Sequence, residues 1–189
     1  MPILGTIASG ISGHLTPPWS PEGAYDSLNS ITLSTSAASV TFQGIPTGYK
    51  HLQIRGIVRG DGGNTDNGFY LRLNSDSGTN YTRHRILGDG TSATASANTS
   101  LNNASQVGMP AGGASGGIFG TLVIDILDYA NTNKYTTVRT LGGHDRNGAG
   151  FISPLSNLWL NTDTVTSILI AFDGPNMVQH SHFALYGVK

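Results

Sequence analysis

Residues 50–59 read KHLQIRGIVR. In an extended chain Leu52, Ile54, Gly56 and Val58 fall on one side, and His51, Gln53, Arg55 and Arg59 on the other. Only Ile57 breaks the alternation. A period of two over ten residues predicts a strand with one face on a core. The same period recurs outward from this stretch. In 69–73, Phe69, Leu71 and Leu73 point inward while Tyr70 and Arg72 point outward, and 81–87 continue with a weaker pattern. Upstream, Val40 and Phe42 alternate, after Leu28, Ile31 and Leu33 open the body. Downstream, IFGTLVIDIL at 118–127 is apolar on both sides, which predicts a central strand covered on both faces. Residues 135–141 read as its hairpin partner, followed by a polar turn at 142–148 and strands at 151–160, 165–172 and 178–188. Gly, Asn, Asp and Pro separate these nine or ten short strands, and no helical stripe interrupts them. The chain is therefore expected to be all-β, a jelly-roll-like β-sandwich of eight strands with additions.

Composition narrows the class further. A chain of 189 residues suits one domain, and the absence of cysteine excludes disulfides, thiolate metal sites and cysteine catalysis. Charged residues make up 11%, with a net charge of −1, which argues against a nucleic-acid partner. Residues 1–21 read as an N-terminal arm with a Pro-rich connector, and 22–189 as a single sandwich domain. In the arm, Ile3, Leu4, Ile7, Ile11 and Leu15 are interrupted by Gly5, Gly10 and Gly13. Residues 2–15 contain no Lys or Arg, unlike a secretory signal, and are too short to span a bilayer, so no membrane partner is expected. Such an arm is expected to dock on a protein surface. Trp19, in the stiff connector TPPWSP at 16–21, packs on its own domain or on a partner chain. Residues 91–117 are low in complexity, with only Leu101, Val107 and Met109 as anchors. They read as a functional or mobile loop, or else as a loosely ordered crossing loop or a short edge strand.

Chemical motifs are sparse. The glycine-rich stretches at 60–63 and 112–117 lack the Lys-Ser/Thr and the following helix of a phosphate cradle. The polar loop 61–67 offers oxygen ligands without the spacing of a calcium loop. His180 and His182, two apart in a predicted strand, would project from one face, and a shared metal would need a third ligand such as His51, His84 or His144. Glu22 is the single glutamate, so a glutamate pair for glycoside hydrolysis is missing, and no Gly-x-Ser-x-Gly elbow occurs. Asp125, inside the run VIDIL, is either inward and paired or on a solvated face. His144-Asp145 is the one adjacent pair worth testing. Neither an enzyme nor a cofactor is expected. Arginine outnumbers lysine, and Arg55, Arg59, Tyr70, Arg72, His180 and His182 are expected at contacts between subunits, where arginine suits planar, partly buried pairing.

Several blocks carry a resemblance when taken together: PILGTIASGI, GYKHLQIRGIVR, YLRLNSDSGTNYTRHRILGDG, IDILDYANTNKYTTVRTLGG and HFALYGVK. The chain resembles small β-rich virion structural proteins of tailed bacteriophages, over nearly its whole length and least over 91–117. The resemblance implies a head decoration, or cement, protein, made in the host bacterial cytoplasm. It would stabilise the phage head by binding the major capsid protein lattice as a homotrimer. On that reading Ile3, Leu4, Ile7, Ile11, Leu15 and Trp19 contact the capsid. The alternatives are a tail-fibre or spike domain binding host glycan, with Tyr129, Tyr135 and Trp159 as candidate aromatics, and a minor subunit at a tail or portal junction.

Overall fold

The computed structural model describes residues 23–189, so the arm positions Ile3, Leu4, Ile7, Ile11, Leu15 and Trp19 lie outside the described residues. The alternating segments become β1 (Tyr25–Thr32), β2 (Ser39–Gln43), β3 (His51–Val58), β4 (Asp66–Leu73), β5 (Tyr81–Gly88) and β6 (Ala93–Leu101). They continue with β7 (Ala104–Pro110), β8 (Gly120–Leu127), β9 (Thr136–Asp145), β10 (Gly150–Trp159), β11 (Ser167–Phe172) and β12 (His182–Val188). One sheet has the order β1-β12-β3-β8-β9-β10-β5-β6, and the other β2-β11-β4-β7. Set aside the inserted pairs β5–β6 and β9–β10, and two four-stranded sheets remain. Each successive core strand then changes sheet, apart from the step from β4 to β7. That interleaving is the jelly-roll arrangement. The inserted strands lengthen only the larger sheet, beyond β8.

The apolar face of β3 lies where its alternation places it. Leu52, Ile54 and Val58 are fully buried, together with Ile124, Ile126 and Phe183 of the same sheet and Phe69, Leu71, Ile168 and Ile170 of the facing one. Phe69 joins the layers, stacking on Phe183 with ring centres 6.1 Å apart and meeting Phe172 edge-on at 6.0 Å. Burying such side chains stabilises the fold by roughly 1.5–3 kcal/mol each. Gly56 is opposite Phe183 in the ladder, and a methyl group there would sit 2.8 Å from the ring. Its missing side chain makes room for that aromatic.

Four expectations need correction. Residues 91–117 are not one loop, and of the alternatives the edge strand holds, twice over: β6 forms the edge of the large sheet and β7 the edge of the small one. The alternation in β6 is of Ala with Thr, Ser and Asn, and both of its faces are exposed, so no hydrophobic period marks it. The polar turn at 142–148 is shorter than expected, because β9 runs on through Gly142, Gly143 and His144. The segment 178–188 is strand only from His182, and His180 sits before it with φ at 72°. Finally, β8 is covered on one face only. Leu122, Ile124 and Ile126 are buried, whereas Thr121 and Val123 face out.

The lengthened part of the large sheet folds against β7 through a polar wall. The Ser105 amide donates to Asn157 Oδ1 at 3.3 Å, and the Ser105 and Thr140 hydroxyls meet. Arg83 donates to Gln106 Oε1 at 2.6 Å and to Asn98 Oδ1 at 2.9 Å. These buried hydrogen bonds hold the extension at a fixed angle to the small sheet, although Arg83 Nε is left without a partner among the described residues.

Candidate functional site

The uncovered side of β8 belongs to a wider apolar face. Ladder register sets Ala95 of β6 against Ile86 of β5, and Leu141 of β9 between Pro154 of β10 and Val123 of β8. Ile152 opposite Gly88 and Leu155 opposite Arg85 place Pro154 beside Ile86, completing the row. The adjacent row contains Gly88, Ile152, Gly143, Thr121 and Ile57. Ile57, Ile86, Val123, Leu141 and Ile152 are 37–58% exposed. Five large aliphatic side chains side by side across five strands form a contiguous patch, unlike scattered single exposures.

Proline inside a sheet removes a ladder donor, and here the neighbouring residue replaces it. The Ser153 hydroxyl, fully buried, donates to the Ile86 carbonyl at 2.7 Å. Pro154 can thus stay mid-sheet and present its ring outward. Two shallow depressions flank the apolar rows. One, of about 530 Å³, lies between Gly88–Gly90, Leu141 and the 145–150 turn. The other, of about 630 Å³, is lined by His84, Ile86, Ala95, Ala97, Pro154 and Ser156.

Arg55 borders this face. Its guanidinium lies 5.4 Å from the centre of the Tyr25 ring and 5.3 Å from that of Tyr186. Its Nε donates to Gln53 Oε1 at 2.8 Å, and Gln53 Nε2 donates to Asp125 Oδ1 at 2.8 Å. Asp125 therefore sits on the outer face, paired in addition with Arg139 at 3.5 Å. Tyr70 and Arg72 stack together as well, 5.1 Å apart, but on β4 of the other sheet, and Arg72 Nε donates to the Asn102 carbonyl at 3.0 Å. The expected subunit-contact residues are thus divided between the two sheets.

Arg59 and the two histidines depart from their expected places. Arg59 is buried inside the chain rather than on the polar face of β3. It donates to the carbonyls of Ala114 at 2.8 Å, Ser115 at 2.8 Å and Ile118 at 2.9 Å, closing the segment after β7. His180 is exposed in a turn, while His182 Nδ1 lies 2.7 Å from the Thr32 hydroxyl at the start of β12, so the two rings do not share a strand face. No cluster of three or more metal-ligating side chains occurs among the described residues.

His144 and Asp145 do not act as a pair. The Asp145 carboxylate caps its own turn, accepting from the Asn147 amide at 2.6 Å. The His144 side chain is fully buried, with its Nε2 2.8 Å from Asp66 Oδ1, and Arg146 reaches Asp66 Oδ2 at 3.1 Å. Phe151 packs edge-on against the imidazole at 4.6 Å, and Gly108 lets it in, since a methyl group there would lie 2.2 Å from that ring. Burial pushes the His144 pKa down, against the pull of Asp66. The cluster ties β9 to the start of β4, with the imidazole enclosed and Asp66 and Arg146 partly exposed. Sequence reading passed over Asp66 because it is far along the chain from His144, inside a loop weighed for calcium.

Of the aromatics considered for glycan, Tyr129 and Trp159 are buried and only Tyr135 is exposed. Trp159 stacks on Tyr81 with ring centres 6.4 Å apart and donates its indole N–H to Asp76 Oδ2 at 2.7 Å. No known family model matches the chain, and no curated protein matches it.

Proposed function

We propose that the chain is a virion structural subunit that works by adhesion, decorating a phage head as a homotrimer bound to the major capsid protein. The observation that carries this reading is the aliphatic face made by Ile57, Ile86, Val123, Leu141 and Ile152. A half-exposed Ile or Leu still has roughly 1 kcal/mol to gain from full burial, so five of them offer several kcal/mol to one flat contact. The low charge of the chain suits a protein partner better than a polyanion. Three such contacts per trimer act at high effective concentration, which turns modest footings into lasting attachment. The resemblance of several sequence blocks to phage virion proteins supports the same reading. The glycan-binding alternative is less well supported, because two of its three aromatics lie in the core.

The deciding experiment is a cryo-EM map of the particle with this chain located. Density on the capsid surface in hundreds of copies is the expected result. Density at the fibre tips, or a dozen copies at a junction, would overturn the assignment.

A further inference from the structure

Among the described residues β6 is the outermost strand of the eight-stranded sheet, with β5 its one neighbour. One side of its backbone therefore presents a row of N–H and C=O groups without ladder partners. Exposed edges are normally guarded by lysine, proline or a bulge. Residues 93–98, Ala-Thr-Ala-Ser-Ala-Asn, carry no charge and no proline, are exposed, and keep unbroken register with β5, the bulge of this strand lying beyond them between Asn98 and Leu101. The opposite edge differs. β1 is bulged between Ser27 and Asn29, and its Asp26 pairs with Lys189 at 3.3 Å. Of the two edges of the large sheet, the stretch 93–98 of β6 is the uncharged run of six residues open to strand addition.

The surroundings of β6 specify what fits beside it. On the outer face Ala95 and Ala97 border the depression of about 630 Å³ shared with Ile86 and Pro154. An added strand there would bring large aliphatic side chains against small ones, and it would have to be uncharged. Residues 2–13, PILGTIASGISG, meet both conditions. In an extended chain Ile3, Ile7, Ile11 and Leu15 fall on one side, spaced by Gly5, Ser9 and Gly13. We infer that residues 2–15 of one copy add as a ninth strand along β6 of the next copy.

The chain layout makes this contact directional. The arm joins the body beside β1, at the far edge of the large sheet from β6. Seven strand spacings of about 4.8 Å separate those edges, roughly 34 Å in all. Twenty-two residues reach up to about 70 Å when extended, enough to meet a neighbour. Donor at one edge and acceptor at the other make a head-to-tail interface, which closes into a ring when the rotation allows. The inference rests on the assembly role proposed above, because a strand lent by a neighbour presupposes a homo-oligomer.

Two full-length double variants test it against wild type, by light scattering for mass and hydrogen exchange for the amides of residues 93–101. Ala95→Lys with Ala97→Lys charges the edge at positions already exposed, so the fold is spared. Ile7→Asp with Ile11→Asp spoils the arm. The expected result is a wild-type trimer with β6 amides protected at least tenfold over either variant, and monomers for both variants. A monomeric wild type, or an oligomer that survives both pairs, overturns the inference. Loss of the oligomer with the lysine pair but not with the aspartate pair would assign the edge to a second copy's β6 and overturn the arm. Wild-type binding to purified capsid shells is measured separately. Its failure would remove the decoration role while the exchange of strands still stood.

Discussion

Arg59 commits its guanidinium to three backbone carbonyls. Methionine would keep the apolar stem and leave those acceptors unpaired. Bonds from a charged donor contribute about 1.5–3 kcal/mol each, so Arg59→Met is expected to lower unfolding stability by about 3 kcal/mol in urea titrations. A loss below about 1 kcal/mol would show that water takes over the carbonyls. This role was hidden in the sequence for a definable reason. Alternation assigns Arg59 to the face of Arg55, but β3 ends at Val58, and parity stops with the ladder. His144 supplies a second prediction. Burial depresses its folded pKa below the usual 6.5, so the unfolded chain takes up a proton before the folded one does. Its contribution is complete above 6.5 and is lost as the pH falls through and below that value. The melting temperature is expected to drop between about pH 6.5 and pH 5, above the range where carboxylates titrate, and His144→Gln should flatten that slope. An unchanged slope would mean that another group titrates there.

The turn between β4 and β5 shows how one carboxylate can organise an element. Asp76 accepts from the Gly78 amide at 2.8 Å, Asn80 Nδ2 at 2.9 Å and the Trp159 indole at 2.7 Å. Burial alone would raise its pKa, but these donors hold it below the ordinary value. Asp76→Ala is expected to cost about 2 kcal/mol and to shift the Trp159 fluorescence, through loss of the indole partner. Unchanged emission would show that stacking on Tyr81 alone fixes the ring. At this scale the sequence was readable wherever one face of a strand was buried and the other wet. The stretch 50–59 and the inward Phe69, Leu71 and Leu73 fall into that class. β6 did not, because small polar and small apolar side chains alternate there with neither side covered. β8 misled for the opposite reason. Its outward Val123 looks like a core residue, since an exposed aliphatic side chain gives a strand the composition of one that is covered on both faces.

At the scale of the molecule, two inserted strand pairs turn one side of a sandwich into a broad, nearly neutral plate. Its contact with a partner should respond to apolar loss and be indifferent to salt. Leu141→Asp with Ile152→Asp is expected to leave the melting temperature within about 2 °C of wild type, as both positions are half exposed. The same pair should weaken binding to purified shells by about a hundredfold or more, through desolvation of two carboxylates in an apolar contact. Raising salt from about 50 to 500 mM should change wild-type binding by less than about threefold, because few charges cross the contact. A steep salt dependence would move the footing to the Arg55 and Arg139 border. The plate could not be located from sequence, because five strands drawn from three separate stretches of chain contribute to it. Register brings them together, and register is a tertiary property.

The position of β12 between β1 and β3 bears on how the protein is made. While residues 182–188 are still within the ribosome, the first and third strands face each other across an unfilled slot, each with a raw edge. The nascent chain can form its hairpins early, but the sandwich closes only once residues 182–188 have emerged, which predicts slow folding and a stretch of synthesis in which chaperones shield the gap. A chain cut before residue 182 would therefore yield an open sheet prone to clumping, instead of a slightly shortened version of the folded domain.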